Sequence, residues 1–212
     1  MTRKDVDMLK DLGLKEFIAQ TASNEPVPGG GSIAALSGSI SASLAEMVAN
    51  LTIGKKKYIE VEEEMKVVQV KLEKLRFEFL DMIDKDANSF DLVMQAFKLP
   101  KETDEDKVIR TLKIQEGLKV AALSPLEIAR KSFEMMKLCE TVVDKGNRNA
   151  VTDGMVAAMM ARTSVLSAIL NVRINLSSIK DEDFAEKISK EIDELEKAAI
   201  SKEKEIIDSV EL

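Results

Sequence analysis

The segment at residues 24–38, NEPVPGGGSIAALSG, decides how this chain folds, because it joins a rigid proline turn to three glycines and then opens a helix. Three consecutive glycines let backbone amides approach a neighbour that side chains would otherwise block. That neighbour is either an anion at the helix start or another helix, and the small residues that continue to Ala45 fit both. The spacing predicts a helix from about Ser32 to Ile53 that ends at Gly54.

The rest of the chain is predicted to be helical as well. Prolines occur only at positions 26, 28, 100 and 125, and the segments between them show helical spacing and no convincing strand. Ser124-Pro125 is interpreted as a helix start in which Glu127 completes a capping box, and Gly146 as a left-handed helix end. The other helices are expected at about 6–21, 58–98, 104–123, 124–145, 149–178 and from 181 onward.

The fold class is therefore expected to be all-α: an antiparallel helical bundle of about seven helices with one very long helix. A length of 212 residues and the absence of any linker long enough to divide the chain favour one domain over residues 1–212. The long helix carries a stripe of apolar residues at three-four spacing, which begins at Met65 and predicts its buried face.

Composition limits the partners and the compartment. A net charge of -7 and mixed charges at 33% of the residues predict an acidic surface, with no nucleic-acid footprint. The apolar run at 33–53 is interrupted by serines, Glu46 and Asn50, so we expect a buried helix and not a membrane span. The N-terminus lacks the apolar core of a signal peptide, and one cysteine, Cys139, cannot form an intramolecular disulfide. We therefore expect a cytoplasmic protein without nucleic-acid or membrane partners.

Histidine is absent from the chain. This removes His-based triads, His general bases and almost every common zinc site. Acid-base chemistry must then use Asp, Glu, Lys, Tyr or water.

Two helices carry polar residues where apolar ones are expected. Asp86 occupies the next position in the three-four spacing of the buried stripe on the long helix, so it should point toward partner helices. Asp153 and Asn171 are eighteen residues, or five turns, apart and share an azimuth that Asn175 extends. These side chains could line a polar cleft, and Asp86 could have a raised pKa there. The alternative is structural: a partner group satisfies Asp86, and the amides bond across a tight helix interface.

Basic residues offer a local anion site in this acidic chain. Lys55, Lys56 and Lys57 follow Gly54, and Arg148 lies in a glycine-led turn between Asn147 and Asn149. The first group also fits simple complementation of a helix dipole, so both interpretations stay open.

Five blocks in order carry a resemblance over nearly the whole chain. They are NEPVPGGGS at 24–32, LTIGKKKY at 51–58, DKDA at 84–87 with Phe90, GNRNAVTD at 146–153 and NVRIN at 171–175. Together they resemble the folate cyclodeaminase/cyclohydrolase family. The resemblance implies a helical bundle that forms homo-oligomers, most simply a homodimer, and acts on one-carbon tetrahydrofolates that can be polyglutamylated.

The resemblance also implies the reaction. The first interpretation is cyclisation of 5-formiminotetrahydrofolate to 5,10-methenyltetrahydrofolate with release of ammonia. The alternative is hydrolysis of the methenyl compound to 10-formyltetrahydrofolate, and nothing in the sequence discriminates physically between them. Neither reaction needs a metal or a redox cofactor, and a separate formiminotransferase is a candidate partner. An alternative of another class is a non-catalytic helical assembly module, whose glycine and alanine rows only build an interface.

Site roles follow from the chemistry together with these blocks. Asp153 or Asp86 is expected to transfer the proton at the one-carbon unit. The remaining candidates are expected to bind substrate: Asn147, Asn149, Asn171 and Asn175 at the pterin or the reacting carbon, Lys56, Lys57 and Arg148 at the glutamate tail, and the turn formed by Gly29, Gly30, Gly31 and Ser32 through its amides.

Overall fold

The computed structural model describes residues 8–211, and within that range it contains helices and no strand. Six α-helices follow one another: α1 (Leu14–Thr21), α2 (Gly30–Thr52), α3 (Glu62–Phe97), α4 (Asp104–Lys145), α5 (Val151–Leu176) and α6 (Glu182–Asp208). Short 3-10 turns lie at Leu9–Asp11, Lys56–Val61 and Arg148–Ala150. The predicted first helix is shorter than expected, since α1 begins only at Leu14, and the predicted start at Val6 lies outside the described residues.

Helix α2 is the centre of the bundle because its small residues let neighbours approach closely. Ala34 and Ala42 are fully buried, and a Cβ on Gly38 would lie 2.7 Å from the ring of Phe79 on α3. Buried serines tie α2 to α5: Ser41 donates to the carbonyl of Ala157 at 2.7 Å. The small-residue row predicted from the sequence is therefore a packing device.

Helix α2 packs antiparallel to both α3 and α5, and the register of these pairs decides which residues meet. On α3, the carbonyls of Ile83 and Arg76 accept from Ser32 and Ser39 of α2 at 3.1 Å each. On the other side of α2, Ser164 of α5 donates to the carbonyl of Ala34 at 2.7 Å. The N-terminus of α2 consequently lies beside the middle of α3 and the last turns of α5.

The predicted helix break at Ser124-Pro125 is wrong. Helix α4 runs without interruption from Asp104 to Lys145 with Pro125 inside it, which reduces the predicted seven helices to six. Proline has no N–H, so it leaves the carbonyl of Ala121 without its usual helical donor. The side chain of Asn175 on α5 supplies the missing donor, with its amide 2.9 Å from that carbonyl. Packing of α5 against α4 thus supplies the hydrogen-bond donor that the local sequence of α4 lacks.

This contact makes a testable prediction about stability. Replacing Asn175 by alanine should lower the free energy of unfolding by about 1–3 kcal/mol, because it leaves a partly buried carbonyl without a donor. Replacing Pro125 by alanine restores an N–H at that position, so the cost of Asn175→Ala should shrink in the Pro125→Ala background. Urea unfolding of the two single variants and the double variant measures this coupling. Equal costs in both backgrounds would show that the amide does not compensate for the proline.

Of the two helix ends predicted at glycines, the one at Gly54 is confirmed and the left-handed end at Gly146 is wrong. Gly54 follows α2 with a φ of 74°, the left-handed conformation that favours glycine, as expected. Gly146 ends α4 but has a φ of -76°, so the predicted left-handed end is wrong there. Glycine is needed at this position because a Cβ would collide with the carbonyl oxygen of Val142 and approach Val48.

Two helix-containing segments, 30–52 and 148–176, are long and apolar enough to cross a membrane by length and composition, yet 61% and 50% of their most apolar windows are buried in the bundle. Their outward faces remain apolar. Ile40 and Met47 on α2 are 41% and 37% exposed, and Val156 and Met159 on α5 are exposed to a similar extent. Helices α2 and α5 therefore share one exposed apolar face.

Candidate functional site

The residues predicted for the site fall into two groups at opposite ends of α2. One group surrounds its N-terminus and contains Gly29, Gly30, Gly31, Ser32, Asp86, Asn171 and Asn175. The other surrounds its C-terminus and contains Lys56, Lys57, Asn147, Arg148, Asn149 and Asp153. With 23 residues, α2 is about 33 Å long, and the five turns between Asp153 and Asn171 span about 27 Å. Asp153 and Asn171 share an azimuth, as the sequence predicts, but they cannot touch one ligand carbon within a single chain.

Asp86 lies over the N-terminus of α2. The capping residue Gly29 has no side chain to accept from the first turn, and Asp86 reaches in from α3 to accept the backbone N–H of Ser32. The hydroxyl of Ser32 lies 3.3 Å from the carboxylate Oδ2 and 3.1 Å from the carbonyl of Ile83. The carboxylate therefore occupies a fixed position between two helices.

Burial is the main cause of the pKa shift of Asp86. Removal from water raises its pKa from 3.8 to about 6, although the hydroxyl and the backbone N–H of Ser32 act in the opposite direction. A carboxyl group that titrates near neutral pH can both give and take a proton under cellular conditions. The sequence prediction that Asp86 faces partner helices is confirmed, and so is the raised pKa.

The glycines make room for protein side chains. A Cβ on Gly31 would lie 2.1 Å from an Asp86 carboxylate oxygen, and a Cβ on Gly30 would lie 2.8 Å from the side-chain amide of Asn171. Ser32 is fully buried, and its hydroxyl serves the carbonyl of Ile83 and Asp86. Gly31 and Ser32 thus hold Asp86 in place, whereas Gly30 is exposed.

The two asparagines of α5 extend this cluster. Asn171 donates to the carbonyl of Ser167 at 2.8 Å, and Asn175 donates to the carbonyls of Asn171 and Ala121, both at 2.9 Å. The amide hydrogens of Asn175 are used within the bundle, in agreement with the structural alternative for this residue. The half-exposed Asn171 is the better placed of the two to meet a ligand beside Gly30 and Asp86.

At the opposite end, a network of caps links α2 to α5. Asn147 donates to the carbonyl of Leu51 at 2.9 Å and accepts the N–H of Asn149, while Tyr58 accepts the N–H of Arg148. The amide of Asn147 therefore ties two helix ends together.

The remaining predicted residues of this end project outward. Lys56, Lys57, Arg148 and Asn149 are exposed, and the half-exposed Asp153 lies in the first turn of α5, where a negative charge complements the helix dipole. The exposed basic residues thus form an open, locally basic surface at this end.

Sequence reasoning missed a cavity of about 550 Å³ between α3, α4 and the first 3-10 turn. Ser89 and Ser124 line it, and Ser89 also donates to the carbonyl of Asp86 at 2.7 Å. Ser124-Pro125 carries a signal for this cavity, but the local sequence rules predict a helix start there. Only a continuous α4 directs Ser124 into the interior.

Comparison with known proteins gives a consistent result. A family model described as formiminotransferase-cyclodeaminase matches residues 13–194. The chain is 47% identical over 182 residues to a methenyltetrahydrofolate cyclohydrolase from Methylorubrum extorquens, covering 86% of this chain and 88% of the relative. The crystal structure of formiminotetrahydrofolate cyclodeaminase from Thermotoga maritima is 32% identical with a TM-score of 0.83, covering 93% of this chain and 95% of that one.

A larger protein is also similar. The formimidoyltransferase-cyclodeaminase from Rattus norvegicus is 31% identical over 203 residues, which cover 96% of this chain and 38% of the relative. The chain thus spans a little over a third of the length of that relative.

Proposed function

The chain belongs to the formiminotransferase-cyclodeaminase family, and from that premise we propose that it catalyses addition or elimination at the one-carbon unit of a tetrahydrofolate, with Asp86 as the proton-transfer group. One observation carries the proposal: a half-buried carboxyl group with a pKa of about 6 is held at the start of α2 without a cationic partner among its contacts in the described residues. A cation would lower that pKa and weaken the group as a base.

The chemistry needs such a group. In hydrolysis, water adds to the methenyl carbon while Asp86 accepts its proton, the bond from that carbon to N5 breaks, and Asp86 returns the proton to N5. One further proton is released when the hydroxyl of the adduct becomes the formyl oxygen. In cyclisation, N10 adds to the carbon of the protonated formimino group and loses its proton, and the amino group of the adduct gains that proton and leaves as ammonia. Both routes use one group as base and then as acid.

Of the two reactions, the similarity to a methenyltetrahydrofolate cyclohydrolase at 47% identity favours hydrolysis. Cyclodeamination remains the second candidate, because the solved structure with a TM-score of 0.83 is a formiminotetrahydrofolate cyclodeaminase. Neither reaction changes an oxidation state, and we propose no metal or redox cofactor for either. The cytoplasm, where reduced folates of this kind would be met, is the proposed compartment.

An absorbance experiment separates these candidates. Purified protein is given 5,10-methenyltetrahydrofolate and, separately, 5-formiminotetrahydrofolate, and the methenyl absorbance is followed. We expect the absorbance to disappear in the first assay faster than in buffer. Its appearance in the second assay would instead identify the cyclodeaminase. No change in either assay, together with no folate-dependent rise in melting temperature, would favour the non-catalytic assembly module.

A second copy of the chain would unite the two groups of candidate residues. The exposed apolar face of α2 and α5 has Ile40 near the middle of α2. Antiparallel pairing of two copies about that point, with two-fold symmetry, places the N-terminus of α2 beside the C-terminus of the partner's α2. Asp86 and Asn171 of one copy then face the basic end of the other.

This homodimer gives the basic residues a role. Lys56, Lys57 and Arg148 from one copy would bind the glutamate tail of a folate whose one-carbon unit lies at Asp86 of the other copy. The exposed apolar side chains of α2 and α5 would be covered at the same time, which favours association. A separate formiminotransferase remains a proposed partner, since the Rattus norvegicus relative is named for both activities.

A further inference from the structure

A groove on the outward side of α2 and α3 contains a polar side chain that the fold leaves unused. Its volume is about 490 Å³, and it is lined by Ser43, Glu46, Met47, Asn50, Leu51 and Arg76. Glu46 is paired with Arg76 at 2.8 Å, and Ser43 donates to the carbonyl of Ser39 at 2.8 Å. The exposed amide of Asn50 has no hydrogen bond among the described residues. Asn50 therefore has both its carbonyl and its amino group available for another molecule.

Asn50 interrupts the apolar face that the proposed homodimer covers. Ile40, Met47 and Leu51 are exposed on this face, and Asn50 lies beside the last two in the groove. Burial of an amide without a hydrogen-bond partner costs free energy, and buried side-chain amides are generally paired. When two copies associate, the other copy or a ligand held between the copies must supply the partner of Asn50.

Asn50 comes level with Asp86 of the other copy when two α2 helices pair about Ile40. Positions equally far from Ile40 on its two sides meet in an antiparallel pair, so position 32 of one copy meets position 48 of the other. Asp86 accepts the backbone N–H of Ser32, and Asn50 lies only two residues, or about 3 Å along the helix, beyond position 48. The two side chains thus lie at nearly the same height along the paired helices.

Asn50 and Asp86 also lie on the same side of this interface. Ser32 and Asn50 are eighteen residues, or five turns, apart, so Asn50 shares the azimuth of a residue that contacts Ile83 and Asp86 on α3. A two-fold axis perpendicular to both α2 helices and to the line joining them keeps the α3 sides of the two copies together. Asn50 of one copy then faces Asp86 of the other, whereas about 27 Å separates Asn50 from Ser32 within one chain.

We infer that the side-chain carbonyl of Asn50 from one copy holds the attacking water at the site of the other copy, opposite Asp86. This role of Asn50 rests on the proposed function and its homodimer. The water has two hydrogens: Asp86 accepts one and takes it as the oxygen adds to the methenyl carbon, and Asn50 accepts the other. With both hydrogens held, a lone pair of the water is directed at the carbon. In cyclisation, the carbonyl of Asn50 accepts an N–H of the formimino group in the same place.

An introduced charge tests the location of Asn50. Asn50→Asp places a carboxylate beside Asp86 of the other copy and raises the pKa of that group, so the acid limb of the kcat/KM profile should move upward by about one pH unit. Gln95→Glu is the matched control, because it adds the same charge at an exposed position of α3, nine residues or about 14 Å from Asp86 in the same chain. Solvent and salt screen a charge at that distance, so the control should keep the wild-type profile. Since Asn50 is farther than this from Asp86 within one chain, a shift in Asn50→Asp alone requires two copies.

Removal of the amide tests the part of Asn50 in turnover. Asn50→Ala should reduce kcat by about 10- to 100-fold because the water loses one of its two acceptors, while Gln95→Ala, which also removes an exposed amide, should keep full turnover. Sedimentation velocity and circular dichroism should show that both variants still associate and remain helical. Asn50→Ala and Asp86→Asn chains are then unfolded and refolded together in equal amounts. Half of the dimers are mixed and each holds one intact site, so about a quarter of the wild-type activity should return.

Other outcomes overturn the inference. They are full turnover in Asn50→Ala, or an acid limb that lies at the same pH in Asn50→Asp and wild type. If Asn50→Asp fails to associate, the mixture decides, and recovery of no activity overturns the inference. In each of these cases turnover of a folate by the wild type leaves the proposed function standing. If the wild type turns over neither folate, the proposed function fails and the role of Asn50 fails with it.

Discussion

Asp86→Asn should reduce turnover by about 10²- to 10⁴-fold, the usual contribution of a positioned general acid-base group, while folate affinity changes little. Asparagine keeps the shape of the side chain and can still accept the N–H of Ser32, but it cannot exchange a proton. The wild-type rate should fall below about pH 6, where burial leaves Asp86 protonated and unable to act as the base. This acid limb should be absent from the residual activity of the variant. Steady-state kinetics across pH 5–8 measure both effects.

The same variant separates catalysis from stability. The pKa of Asp86 in the folded chain, about 6, is above its ordinary value of 3.8, so the stability that the protonated form contributes is complete below pH 3.8 and is lost as pH rises through 6. Asparagine does not suffer this loss, and the melting temperature at pH 7 should not fall. Glu73→Gln, an exposed carboxylate on the same helix, is the control and should keep full turnover. Full turnover in Asp86→Asn with a large loss in Asp153→Asn would assign proton transfer to Asp153.

Ile40→Asp should convert the proposed dimer into a monomer and reduce turnover by about 100-fold or more, because each site would lose the half supplied by the other copy. A charge in the middle of an apolar interface must be desolvated without a partner when two copies associate. Ile40 is 41% exposed in the single chain, so the fold should survive the change. Sedimentation velocity and circular dichroism measure association and helicity. Ile200→Asp, a similarly exposed isoleucine on α6, is the matched control.

Mixing of inactive variants tests whether the site is shared between copies. Equal amounts of Asp86→Asn chains and of chains with Lys56, Lys57 and Arg148 all changed to alanine are unfolded and refolded together, and turnover is measured at a folate concentration at which each variant alone is inactive. In a shared site, half of the dimers are mixed and each holds one intact site, so about a quarter of the wild-type activity should return. A site contained in one chain has no intact copy in any of these dimers. Recovery of no activity, or dimers that persist in Ile40→Asp, would contradict the shared site.

The candidate residues show which parts of the site helical periodicity can predict and which it cannot. Asp86 was located correctly because its position depends only on the spacing of the apolar residues before it, and the same rule placed Asp153 and Asn171 at one azimuth. Periodicity describes the angle around a helix and carries no information on which helices are neighbours. Asp153 and Asn171 lie about 27 Å apart along α5. Only the antiparallel packing of α5 along α2 shows that they therefore belong to opposite ends of α2.

Pro125 shows the limit of local signals. Serine, proline and glutamate in this order normally begin a helix, and the sequence prediction followed that rule. The bundle overrides the rule because Asn175, 54 positions along the chain from Ala121, donates to the carbonyl that proline leaves open. A continuous α4 then directs Ser124 into the cavity. No local pattern could reveal a compensation made by a different helix.

The amino-acid sequence by itself determined the all-helical class, the buried stripe of α3 that carries Asp86 and the family, since these depend on spacing along one helix or on the order of short blocks. Tertiary structure alone decided that Gly31 and Gly30 make room for Asp86 and Asn171, that the candidate residues form two groups at opposite ends of α2, and that a cavity lies beside Ser124. The physical reason is that burial, the pKa of Asp86 and the pairing of hydrogen-bond donors depend on groups brought together from distant parts of the chain, and only packing brings them together.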